Sequence, residues 1–153
     1  MGIREDELLS RELGKIAQTF GPTRGFDKAS IVGGSLGARL ASKFLPTEHY
    51  QARLHVDADV ASVLTKVCSF FSESGRVALD GEVDTSPYPK ISGVIGSGML
   101  NMNPTVVHLE VIGSDKTRTD LLITAAAKEG LIKQRTAEKA VNRVVGFLNR
   151  AFQ

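Results

Sequence analysis

The stretch Thr136-Ala137-Glu138-Lys139-Ala140-Val141-Asn142-Arg143-Val144-Val145-Gly146-Phe147-Leu148-Asn149-Arg150-Ala151-Phe152 decides how the rest of the chain is read. Ala137, Ala140, Val141, Val144, Val145, Leu148 and Phe152 recur at three- and four-residue steps, and Glu138, Lys139, Asn142, Arg143, Asn149 and Arg150 fill the gaps. That spacing predicts an amphipathic helix. Thr136 is the expected N-cap; Glu138 in the first turn and Arg150 in the last suit the helix dipole. The apolar stripe needs a partner surface, and the run of strand-like segments between Tyr50 and Lys128 is the one candidate long enough to supply it.

Working back from that helix, Thr105–Ile112 and Arg118–Lys128 are the two best strands, joined by Gly113-Ser114-Asp115-Lys116-Thr117, a link of hairpin length and composition. Ile91–Met99 is a glycine-interrupted strand, Ser86-Pro87-Tyr88-Pro89 a turn, and Val77, Leu79 and Val83 suggest a strand before it. Tyr50, Ala52, Leu54 and Val56 alternate with Gln51, Arg53 and His55, the pattern of a half-buried strand. Asp57 or Asp59 then caps a helix with the stripe Val60, Val63, Leu64, Val67, Phe70 and Phe71, closed by Ser74-Gly75.

At the N-terminus, Leu9, Leu13, Ile16, Ala17 and Phe20 mark one helix, stopped by Gly21-Pro22. Asp27 opens a second segment carrying Ala29, Val32, Leu36, Leu40 and Phe44, which Pro46 ends; Gly33, Gly34 and Gly37 weaken it as a helix. The expected class is α+β: an antiparallel sheet of about five strands gripping the long C-terminal helix, with N-terminal helices added. The expected division is an N-terminal helical segment over residues 1–47 and an α+β unit over 48–153, together one compact domain.

Composition narrows the function classes. A hydrophobic share of 42% and a charged share of 24% are those of an ordinary globular protein. No apolar run is long enough for a membrane span, and Met1-Gly2-Ile3-Arg4-Glu5-Asp6 lacks a signal-peptide core, so the expected location is cytoplasmic. Gly2 is not a myristoylation site, since Asp6 stands where that motif wants Ser or Thr. The single cysteine, Cys68, excludes an internal disulfide and is expected in the core. The 19 basic and 17 acidic residues are interspersed, which argues against a nucleic-acid partner.

The order of elements resembles the helix-grip superfamily of START-like, polyketide-cyclase-like and pollen-allergen-like proteins. The resemblance is carried by Ala52-Arg53-Leu54-His55-Val56-Asp57-Ala58-Asp59-Val60-Ala61-Ser62-Val63-Leu64, a strand running straight into a helix, and by the strand Asp120–Lys128 leading to the final helix. It implies a pocket for an apolar small molecule between the sheet and the last helix, and names no ligand.

Three functional readings follow. The preferred one is non-enzymatic binding of a small apolar or amphipathic molecule. Its expected lining is Leu54, Val56, Leu109, Val111 and Ile123 from the sheet and Val145, Leu148 and Phe152 from the helix, with Tyr50 a polar handle. The alternative packing of these residues is a solid core without a cavity. A second reading makes the N-terminal helices a protein-protein interaction module, a homodimer contact included, against the reading that they pack within their own domain.

A third reading is catalytic. Gly33-Gly34-Ser35-Leu36-Gly37 matches the nucleophile-elbow pattern, but a single helix before it supplies no strands to build the sheet that elbow needs. His108 and Glu110 share one strand face with Thr124 or Lys128 as neighbours, and that face is the polar one, expected outside. His49 and His55, six residues apart, lack a third ligand for a metal. No cofactor motif is present; the glycine run has neither the dinucleotide spacing nor a phosphate-loop lysine. Lys128, Lys133 and Arg135 are read as solubilising charge, with attraction of an anionic group as the alternative.

Overall fold

The computed structural model describes residues 5–19, 45–78, 88–97, 103–129 and 134–153. Its elements are α1 (Glu5–Thr19), β1 (Thr47–Val56), α2 (Val60–Ser74), β2 (Gly75–Ala78), β3 (Lys90–Ser97), β4 (Asn103–Ser114), β5 (Thr119–Lys128) and α3 (Thr136–Ala151). The five strands form one antiparallel sheet in the order β1-β5-β4-β3-β2. One face of the sheet carries α2 and α3, the helix-grip arrangement, and the other face carries α1.

Strand alternation builds the inner face. Leu54, Ala52 and Val56 of β1 share it with Leu121, Ile123, Ala125 and Ala127 of β5, Val107, Leu109 and Val111 of β4, and Ile91 and Ile95 of β3. From above, α3 presses Ala137, Ala140, Val141, Val144 and Leu148 onto β1 and β5, while α2 brings Val63, Val67, Phe70 and Phe71 over β2 and β3. An aromatic wedge closes the space between the helices: the Phe70 ring meets Phe71 at 5.8 Å and Phe147 of α3 at 5.1 Å between centroids. Gly93 makes room for it, since a Cβ there would overlap the Phe71 ring. Gly75 does the same where α2 runs straight into β2, because a Cβ would strike the Val94 backbone.

The outer face is partly covered. Leu8 and Leu9 of α1 pack on Val94, Val106 and Ala126. Glu12, only 8% exposed, pairs with Arg76 of β2 and lies 3.1 Å from Lys15 Nζ. Burial opposes ionisation of Glu12, but Arg76 and Lys15 outweigh it and hold the carboxyl below its usual range.

Several expectations shift. β1 begins at Thr47, three residues before the alternation was legible, which adds Glu48 to the inner face. Asp59 is the cap of α2: its carboxylate accepts the Ser62 N–H at 3.0 Å, and the Ser62 hydroxyl with that N–H lowers its pKa. Thr136 is not a cap; it is the first helical residue of α3, and Arg135 precedes it in left-handed backbone, φ 53°, with no side-chain cap bond. Cys68 is exposed rather than in the core. The second N-terminal segment with Gly33–Gly37, together with Leu79, Val83 and Lys133, lies outside the described residues. Among the described residues no helix is long and apolar enough to cross a membrane.

Candidate functional site

The residues expected to line a pocket come together. Leu54, Val56, Leu109, Val111, Ile123, Leu148, Val145 and Phe152 belong to one apolar cluster between the sheet and α3. They are unequally buried: Leu109 and Val111 are each 1% exposed and Ile123 and Leu148 0%, whereas Leu54, Val145, Phe147 and Phe152 are half-buried. The gradient has a cause in topology. β1 is an edge strand, so its inner side chains have neighbours on one side only, and α3 lies along it. Tyr50, on the same inner face, remains 37% exposed. The seam between β1 and α3 is therefore an apolar margin touched by water, with a sealed floor beneath.

The amino end of α3 closes one end of this seam. Glu48 of β1 accepts the Ala137 N–H at 2.8 Å, and Glu129, just after β5, accepts those of Gln134 at 3.1 Å and Thr136 at 2.9 Å. These carboxylates satisfy amide groups that a helix start otherwise leaves orphaned. Sequence reasoning singled out neither. Glu48 fell outside the strand as first delimited, and Thr136 masked the need for a cap from elsewhere. On the same inner row, Thr105 of β4 is fully buried and its hydroxyl finds no hydrogen-bond partner among the described residues.

Of the catalytic candidates, His108 and Glu110 share one face of β4. Ser35 lies outside the described residues. His108 and Glu110 are on the outer face, half-buried; His108 Nδ1 lies 2.6 Å from Ser92 Oγ, with Thr124 opposite in the ladder, and Glu110 faces Lys90. Lys128 stands elsewhere, its Nζ 2.8 Å from Thr47 Oγ1. His49 and His55 sit towards opposite ends of β1, and His55 is engaged by Asp120 and Arg118. Among the described residues no group of three or more His, Cys, Asp or Glu is arranged to hold a metal ion. Away from the seam, an open groove of about 570 Å³ runs along α2, lined by Leu64, Thr65, Cys68, Ser69, Ser72 and Glu73.

No protein-family model matches the chain, and no curated protein matches it. Solved structures similar to it include an uncharacterized protein from Bacillus thuringiensis, at 10% identity, covering 69% of this chain and 96% of that one, with a TM-score of 0.38. Norcoclaurine synthase from Thalictrum flavum, in complex with dopamine and hydroxybenzaldehyde, is 11% identical over 72% of this chain and 91% of its own, with a TM-score of 0.36. Zhui aromatase/cyclase from Streptomyces sp. R1128 is 13% identical over 69% and 88%, with a TM-score of 0.33. The synthase and the aromatase/cyclase are helix-grip proteins. Likenesses of this size carry no argument about activity.

Proposed function

We propose that this protein binds a small apolar or amphipathic molecule, without catalysing a reaction on it, along the seam between β1 and α3. The observation that supports this reading is the step in burial across the inner face. Leu109, Val111, Ile123 and Leu148 form a floor, and Leu54, Val145 and Phe152 leave apolar surface at its open margin. A ligand laid on that margin completes its removal from water, at about 25 cal/mol for each Å² covered. The Tyr50 hydroxyl offers a hydrogen-bonding end.

Native mass spectrometry of the purified protein tests this directly. The expected spectrum shows a bound adduct that organic solvent strips away, and the stripped protein gives saturable fluorescence with anilinonaphthalene sulfonate. Val145→Asp, at a half-buried position where a charge still reaches water, is expected to weaken the probe by about tenfold or more while the fold stays intact, because a tenfold loss needs only about 1.4 kcal/mol. A bare mass together with equal probe binding by both proteins removes the reading.

A further inference from the structure

α3 starts without a cap of its own. Arg135 enters it in left-handed backbone with no side-chain cap bond, and the first free amides go to Glu48 and Glu129, which lie at the same end of the antiparallel β1–β5 pair, one at the start of β1 and the other just past the end of β5. Thr136 and Ala137 are consecutive, so the carboxyls that take their N–H groups are brought side by side. Two carboxylates so placed do not both ionise without mutual repulsion; one proton between them turns the repulsion into a hydrogen bond.

We propose that Glu48 and Glu129 form a proton-operated latch on α3: sharing one proton they pin its first turn to β1 and to the end of β5, and with none they push that turn away from the sheet edge. Among the described residues, the charged and titratable groups around the pair are placed as follows. On β1, His49 points to the opposite face. At the end of β5, Lys128 also lies on the opposite face and bonds Thr47 Oγ1 at 2.8 Å and the Leu45 carbonyl at 3.3 Å. On α3, Arg135 leans towards Glu138, Nη1 to Oε2 3.7 Å, Lys139 is exposed, and Glu138 adds a further negative charge near Glu48. Burial, Glu129 and Glu138 raise the Glu48 pKa. Burial opposes ionisation of Glu129, but the Thr136 and Gln134 amides and Glu48 outweigh it and lower its pKa.

The two shifts have opposite consequences. Glu129, lowered in the fold, contributes stability that is lost as pH falls through its folded pKa. Glu48, raised in the fold, contributes stability that is lost as pH rises from the ordinary glutamate range through its folded pKa. The latch is tightest between the two, with one proton on the pair. A raised first turn also widens the seam beside Tyr50, and this last consequence alone rests on the reading of the seam as a ligand site.

Hydrogen exchange on the unliganded full chain tests the latch from about pH 4 to about pH 8, the span in which glutamates and their shifted relatives titrate. After correction for intrinsic exchange, the protection of the Thr136, Ala137 and Ala140 amides is expected to peak near the ordinary glutamate pKa. It then falls by up to about tenfold per pH unit while the pair loses its proton. Glu48→Gln keeps an acceptor for Ala137 and a donor for Glu129 at every pH, so the fall should vanish. Carbon-13 carboxyl shifts of the unmodified chain give a second readout, with Glu48 titrating above and Glu129 below the ordinary value. Protection that does not change with pH, a fall that survives Glu48→Gln, or two carboxyls titrating together at the ordinary value overturns the latch. No ligand is in the tube, so these outcomes are separate from the adduct and probe measurements on which the seam reading stands or falls.

Discussion

Thr105 carries a polar atom that has no hydrogen-bond partner among the described residues, near the start of β4 where its exposure is 0%. An unmet buried hydroxyl costs about 1–3 kcal/mol, so Thr105→Val, which keeps the shape and removes the oxygen, is expected to raise the urea midpoint by a gain of about 1 kcal/mol. A lower midpoint would mean that the hydroxyl is satisfied by bound water. Cys68 shows how a residue-level expectation misleads. Free cysteines are usually buried, yet Cys68 follows Val67 by about 100° of helical turn and so leaves the stripe that Val63, Val67, Phe70 and Phe71 define. Helical periodicity, not residue type, decides the exposure of Cys68.

The helices were legible as elements because each must hide a stripe, and period 3.6 records it: Ala137, Ala140, Val141, Val144 and Leu148 of α3 are all buried. What the pattern does not record is how a helix is fastened when its fastenings come from distant residues. Glu129 and Glu48 cap α3 from outside it, and Arg76 of β2 meets Glu12 of α1. The α1 fastening has a definite pH sign. The Glu12 pKa is lowered by Arg76 and Lys15 against the burial that raises it, so its contribution is present above the ordinary glutamate pKa and lost as pH falls through the folded value. Thermal unfolding over a pH series is expected to show the native chain more stable than Glu12→Gln near neutrality, with the two curves meeting in acid. A gap that stays constant with pH would assign Glu12 a packing role alone.

Across the whole molecule, the antiparallel sheet with a helix gripped on one face was readable from element order, because alternation on Tyr50–Val56 and Thr105–Lys128 left few other ways to bury both apolar faces. The seam was readable only as a set of residues. Which of them are sealed and which stand at the margin depends on β1 being an edge, and pairing order is a property of the folded chain. That same edge position has a bearing on time. β4 and β5 are joined by the short turn in which the Asp115 amide donates to the Arg118 carbonyl at 2.9 Å, so their pairing closes a very small loop. β1 reaches β5 only by joining Val56 to Thr119 and Thr47 to Lys128, across roughly sixty to eighty residues of chain. Loop-closure entropy makes the second pairing the later one. In stopped-flow kinetics, Ile123→Val in the hairpin is therefore expected to slow refolding, and Leu54→Ala on β1 mainly to quicken unfolding, with the refolding limb nearly unmoved. The opposite partition would mean that β1 seeds the sheet. If the order holds, the strand that borders the seam is the last to arrive and the first to leave, and the lifetime of the seam is set by the unfolding clock of β1.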